Sequence, residues 1–143
     1  MSQPPITGIS SMATRALLAE LVAAHGQPVA MESVGGVDAA KRVAAGEAFD
    51  VVVLASDAID KLIAAGRVLA GSKVDLVHSG VAVAVKAGAA HPDIASENAV
   101  KRAVLNASTL GYSTGPSGVQ LAKVFARGGI AQEIAPRIVT APP

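Results

Sequence analysis

An α/β fold, with a parallel-sheet first lobe followed by a partial second α/β lobe, is predicted by three observations. Strand-like and helix-period segments alternate from residue 6 onward. The strand-like runs are rich in β-branched residues and lack polar alternation, as strands covered on both faces do. Three of the turns that lead from strand to helix are built from Ser, Thr and Gly. The 143 residues, 51% of them hydrophobic, are enough for one compact domain or two small lobes.

Residues 6–9 form a short apolar strand that meets Ser10-Ser11, and Met12, Ala16, Leu17, Leu21 and Val22 then mark one face of a helix ending near His25-Gly26. Residues 28–32 read as extended. They lead through Ser33-Val34-Gly35-Gly36 into a helix over 38–45, with Gly46 as its stop. Residues 50–55, Asp-Val-Val-Val-Leu-Ala, give the clearest strand, expected to be buried on both faces. Ser56-Asp57 is expected to cap a helix over 58–65, which stops at Gly66. The order βαβαβα implies right-handed crossovers in one layer.

The pattern changes at residues 74–80 and 81–86, two extended pieces with no helix between them, read as the crossing between lobes 1–79 and 80–143. Ser96 caps a helix over 97–106, and residues 109–112 form a strand. The stretch Gly111-Tyr112-Ser113-Thr114-Gly115-Pro116-Ser117-Gly118 then opens a helix carrying Val119, Leu121, Ala122, Val124 and Phe125, halted at Gly128-Gly129. Residues 133–140 make a last turn and an extended piece.

Composition removes several function classes. Twelve basic and eleven acidic residues are scattered for a net charge of +1, and the aromatics are Phe49, Phe125 and Tyr112 alone. Neither a basic footprint nor a stacking platform for nucleic acid is present. With no cysteine there is no disulfide scaffold, thiol nucleophile or thiolate metal ligand. His25, His78 and His91 are not spaced to share a face, so no metal site is expected. Residues 111–118 lack the Gly-Lys-Ser/Thr ending of a phosphate loop and the dinucleotide glycine spacing, so no cofactor is expected either. Ser117 lacks the nucleophile-elbow pattern and a following Asp and His. The start, Met1-Ser2-Gln3-Pro4-Pro5, lacks the basic and apolar regions of a secretory signal, which is compatible with a cytoplasmic chain or a removed leader.

What remains is anion binding without charged side chains. Ser10-Ser11, Gly35-Gly36 and the loop Ser113, Thr114, Ser117, Gly118 each follow a strand and precede a helix. In parallel sheets such turns lie at the carboxyl ends of the strands, where ligands bind. Free N–H groups at helix starts, joined by hydroxyls, offer neutral donors to an anion. Arg15 is a further candidate, able to swing toward an anion over Ser11. Catalysis by proton transfer would need a base, and Glu32, Asp57 and Tyr112 are the candidates; no residue is assigned a catalytic role.

Four segments together, Ile6 to Met12, Glu32 to Arg42, Phe49 to Asp57 and Gly111 to Gly118, resemble the periplasmic molybdate-binding protein family of ABC-transporter solute receptors. The resemblance implies a periplasmic-binding-protein-like fold, a small anionic ligand (molybdate-like or a carboxylate) held in an interlobe cleft, a membrane permease as partner and a periplasmic location. Position by position, the first-lobe serine falls on Ser11 with Ser10 beside it, and the second-lobe loop residue falls on Ser117. The second serine-rich turn falls on Gly35-Gly36, where the hydroxyl is lost, a departure from molybdate receptors that suits a carboxylate or other organic anion. Family members continue beyond the position of Pro143, so the second lobe is expected to be incomplete and its apolar surface to favour self-association. Relatives of this fold have been recruited as isomerases of small polycarboxylates, aconitate isomerase among them, which makes an isomerase the alternative to a receptor.

Overall fold

A computed structural model describes residues 4–142. Met1, Ser2, Gln3 and Pro143, which the reading of the two ends of the sequence includes, lie outside the described residues. The chain divides into two compact units, Met1–Ser79 and Gly80–Pro143.

In the first unit, β1 (Ile6–Ser11) passes through a 3-10 turn (Met12–Thr14) into α1 (Arg15–His25), followed by β2 (Val29–Val34), α2 (Gly36–Ala44), β3 (Val51–Val53) and α3 (Ser56–Ala64). The three strands form a parallel sheet in the order β2-β1-β3. The central strand is therefore the first one, and its Ile9 and Ser10 are completely buried. Ile9 packs with Ala39, Val43 and Leu62, and Val34, Phe49, Val52, Leu54 and Val68 close around this cluster. Burying such side chains is worth about 1.5–3 kcal/mol each, which is why the apolar face of α2 folds onto β1. Gly26, at φ 72°, ends α1 in the left-handed conformation that glycine adopts without a Cβ penalty.

Three expectations are corrected here. Ser10 and Ser11 belong to the strand and not to the turn, because pairing with β2 continues through Ser10 opposite Ser33 and Ser11 opposite Val34. The apolar run 50–55 is a strand only over Val51–Val53, and it is not covered on both sides: it pairs with β1 alone among the described residues, and Val51 is 44% exposed. Its hydrophobicity reflects packing of Val52 and Leu54 on one core, not a central place in the sheet. The residue at the cap position of α3 is Ala55, which makes no side-chain cap bond, so Ser56 and Asp57 stand inside the first turn.

Residues 74–86 are assigned to no strand, and Val74, Leu76, Val77, Val81, Val83 and Val85 are exposed. The extended pieces expected there thus have no ladder partner among the described residues.

In the second unit, α4 (Glu97–Asn106) starts as expected, with Ser96 Oγ accepting a hydrogen bond from the Ala99 N–H at 3.1 Å. There follow β4 (Leu110–Ser113), α5 (Pro116–Arg127), a single turn α6 (Ala131–Ile134), a 3-10 turn (Ala135–Arg137) and β5 (Ile138–Ala141). β4 and β5 pair in parallel, Leu110 with Ile138 through Ser113 with Ala141. The core is Phe125, Ile130 and Ile134, against which Leu110, Leu121, Ile138 and Tyr112 pack. Arg137 ties the end of α4 to this core by donating to the carbonyls of Leu105 and Ala107, both at 2.7 Å.

Candidate functional site

The register of the first sheet brings three strand-to-helix passages to one edge. Ser10 stands opposite both Ser33 and Val53, so the passages at Ser11, at Gly35-Gly36 and at Ala55-Ser56 all leave the carboxyl end of the sheet. Adjacent strands lie about 4.8 Å apart, which puts the outer two passages on the order of 10 Å from each other. α2 and α3 each leave first-turn N–H groups there without intrahelical partners, since their first intrahelical bonds run from Ala39 to Gly35 and from Ala58 to Ala55.

The two neighbouring serines have different fates. Ser10 is fully buried, and its hydroxyl donates to the Ser11 carbonyl at 3.2 Å and shares a 2.8 Å hydrogen bond with the Ser33 hydroxyl. Ser11 is half-buried at the cap position of the following turn, in extended conformation, and its side chain makes no cap bond. A serine at a helix start ordinarily spends its hydroxyl on a first-turn N–H. Here the Ser11 hydroxyl makes no such bond. Ser33 and Thr14, which donates to the Ser11 carbonyl at 3.3 Å, were not singled out from the sequence. Only the register opposite Ser10 reveals Ser33, and only the 3-10 turn folds Thr14 back.

Gly35 caps α2, and the Asp38 carboxylate lies close over it, with one oxygen 3.4 Å from where a Cβ on Gly35 would stand. A negative side chain thus already occupies the start of this helix, and an incoming anion would compete with it for the N–H groups of the first turn. Arg15 is the first residue of α1.

In the second unit, Gly115 is buried at the cap of α5, Pro116 takes the first helical position, and Ser117 and Gly118 follow in the first turn. Ser117 and Thr114 are exposed and Ser113 is half-buried. The Thr114 N–H donates to the Ala141 carbonyl at 2.9 Å. Gly118 has a packing reason of its own: a Cβ there would fall on the carbonyl oxygen of Ser113, so its missing side chain is what lets α5 close onto β4. A groove with a volume near 370 Å³ lies between α4 and α5 around Lys101, Val104, Phe125 and Gly128, at the opposite end of α5 from this loop. It does not include the Ser113–Gly118 loop.

The three base candidates are differently placed. Glu32 lies mid-strand opposite Ile9 and is held by Arg42 in a two-pronged pair, 2.6 and 3.0 Å; the same guanidinium binds Glu47 at 2.7 Å and sits 5.5 Å over the Phe49 ring. Hydrogen bonding from Arg42 keeps the Glu32 and Glu47 carboxyls below their ordinary range, so Glu32 is a weaker base than an unpaired carboxylate. Tyr112 packs edge-on against Phe125, ring centroids 6.3 Å apart. Asp57 is exposed in the first turn of α3, at the carboxyl edge of the sheet. Among the described residues no three His, Asp or Glu side chains gather into a metal-binding group.

Against known proteins, residues 6–143 match the family described as bacterial extracellular solute-binding protein. The chain belongs to that family. It is also similar to aconitate isomerase of a Pseudomonas species, 42% identical over 84 residues, which are 59% of this chain and 32% of that protein. The matched stretch thus spans about a third of the curated relative. No solved structure matches the chain.

Proposed function

We propose that this solute-binding family member is the receptor part of an uptake system, with residues 1–79 and 80–143 as its two lobes and a small oxyanion or organic anion as its ligand. The observation that carries the reading is the Ser11 hydroxyl, which stands at the cap position at the carboxyl edge of a parallel sheet and makes no cap bond. Ser113, Thr114, Ser117 and the first-turn N–H groups of α5 offer the second set of donors; Gly35-Gly36 contributes backbone only, shared with Asp38. Neutral donors suit a receptor, since they hold a desolvated anion and still release it. Membership of an extracellular solute-binding family supports the membrane permease of an ABC transporter as partner and a periplasmic location. The exposed apolar residues of the second unit, Val81, Val83, Val85 and Val139 among them, favour self-association of this chain.

Thermal unfolding in the presence of molybdate, tungstate, sulfate, citrate and trans-aconitate tests the receptor reading. A ligand at a hundred times its dissociation constant stabilises by about 2.7 kcal/mol. Ser11→Ala and Ser117→Ala should each weaken binding while leaving the fold intact. The absence of a shift with every anion would defeat the proposal.

A second reading, isomerisation of a small polycarboxylate, is favoured by the similarity to aconitate isomerase. On this reading Asp57 is the base, being the one of the three candidates that is both exposed and at the carboxyl edge. Proton NMR of cis-aconitate incubated with the protein would register conversion to the trans isomer. Conversion that disappears in Asp57→Asn would favour the enzyme over the receptor, and no conversion would remove it.

A further inference from the structure

Residues 81–85 read Val-Ala-Val-Ala-Val, with a β-branched residue at every second position, which is the pattern of a strand with valines on one face and alanines on the other. These residues are assigned to no strand or helix, and among the described residues no backbone hydrogen bond reaches them. All five side chains are exposed, Val81 by 62%, Val83 by 54% and Val85 by 42%. Exposed strand edges are ordinarily protected against pairing by a proline, a bulge or a lysine within the edge. Residues 79–85 contain no proline and no charged side chain, and the first charge is Lys86. A turn closed by the Ala89 N–H, which donates to the Lys86 carbonyl at 2.9 Å, ends the segment there.

We propose that residues 80–86 are an interface for a second copy of this chain, the two segments pairing antiparallel about a two-fold axis at Val83. The sequence itself selects a copy over another partner, because Val81 to Val85 reads the same in both directions. A closed two-fold dimer requires a patch that complements itself, and antiparallel pairing runs one strand against the reverse of the other. Centred on Val83, it sets Val83 opposite the partner's Val83, Val81 opposite the partner's Val85 and Ala82 opposite the partner's Ala84. The valines of both strands then share one face as cross-strand pairs. A slip of two residues in either direction leaves one valine of each strand without a valine opposite, so this register alone matches all three. Lys86 falls opposite the partner's Gly80, and the two Lys86 residues stand about 20 Å apart along the pair, beyond the screening length at physiological salt. No like charges meet. A pair this short buries less surface than a standard stable interface, so association should be weak and dependent on concentration. The inference rests on the self-association read above and says where and how it occurs; it makes no use of the anion site.

Sedimentation equilibrium of the full chain over a range of concentrations tests the pairing. The mass of the wild type should rise toward twice that of the monomer and stop there. Val83→Lys sets two like charges face to face on the axis and should be monomeric at the same concentrations, as should Val83→Glu. An equimolar mixture of the two variants should associate again, because opposite charges then face each other, a rescue that misfolding would not give. The chain has no cysteine, so an introduced one reports the register without background. Val83→Cys should form an intermolecular disulfide about tenfold faster than Val81→Cys, because position 83 faces itself within disulfide reach while the two copies of position 81 lie about 14 Å apart. A wild type that stays monomeric, a Val83→Lys protein that associates as the wild type does, a mass that climbs beyond the dimer, or equal crosslinking at 81 and 83 would each overturn the pairing. The last two are the marks of open parallel stacking. A monomeric wild type that still gains thermal stability from an anion overturns the pairing and leaves the receptor reading standing, and a dimer that responds to no anion does the reverse.

Discussion

Replacing Gly118 with alanine is expected to destabilise the second unit even though alanine is the better helix former. The added Cβ would fall on the backbone carbonyl oxygen of Ser113, 2.8 Å from the Ser113 carbonyl carbon and 3.1 Å from the Tyr112 ring. Carbonyl atoms of a paired strand have no rotamer to escape into, so relief requires α5 to lift away from β4. That movement would loosen Leu121 and Phe125 from Tyr112 and Leu110. Overpacking of this kind costs about 3 kcal/mol at the upper end of its usual range. The gain from helix propensity offsets about 1 kcal/mol, leaving about 2 kcal/mol, or roughly 8–16 °C in the melting temperature of a unit this small. Tyr112 is the single tyrosine and there is no tryptophan, so tyrosine fluorescence and the tyrosine band of the near-ultraviolet dichroism report on this unit. Gly111→Ala, in the same unit, is the control: its Cβ would meet nothing nearer than the Val139 carbonyl oxygen at 3.9 Å, and its stability should stay close to wild type. A Gly118→Ala protein that melts at or above the wild-type temperature would refute the close-approach account.

In the first unit, Ile9→Ala removes the buried centre of the sheet and should cost about 2–5 kcal/mol, measured by urea unfolding. Glu32 and Glu47, pulled below their ordinary 4.5 by Arg42, and Asp50, pulled below its ordinary 3.8 by the Thr7 N–H at 2.8 Å and then by the Thr7 hydroxyl, bind fewer protons folded than unfolded. Their stabilisation is complete above those ordinary values and is lost as pH falls through the lower folded ones, so melting temperature should drop with acid below about pH 4.5. Arg42→Gln should flatten that decline; an unchanged acid limb would show the pair to be inert. These groups are exposed, so the effect should shrink in high salt. Gly26→Ala, forced to φ 72°, should cost about 1 kcal/mol in thermal melts, through backbone strain alone.

Much of the element order was legible in the sequence because helix and strand periods are local. The helix start at Ser96, the helix ends at Gly26 and Gly46 and the strand around Val52 need only neighbouring residues to be recognised, whereas residues 116–118, read as loop, already belong to α5. The same local signals erred where a partner far along the chain decides the outcome. The run 50–55 looked like a central strand because apolarity reports burial, and burial by one core on one side is indistinguishable from burial on two in a short window. Ser56-Asp57 looked like a cap, yet the cap position falls a residue earlier, on Ala55, and the helix starts at Ser56. Glu32 was a candidate base, and only the fold shows that Arg42, ten residues on in α2, binds it.

The sequence by itself determined that the chain is α/β, that strand-to-helix turns rich in Ser and Gly recur, and that these residues include no cysteine thiol. Only the tertiary structure decided which hydroxyl is spare. Ser10 and Ser11 are adjacent and chemically identical, and successive side chains on a strand face opposite ways. The register of β1 against β2 sets Ser10 opposite Ser33, and the turn after β1 brings Thr14 back to the Ser11 carbonyl. Those contacts join positions three and twenty-three residues apart, and hydrogen-bond partners at such separations are fixed by folding rather than by local pattern.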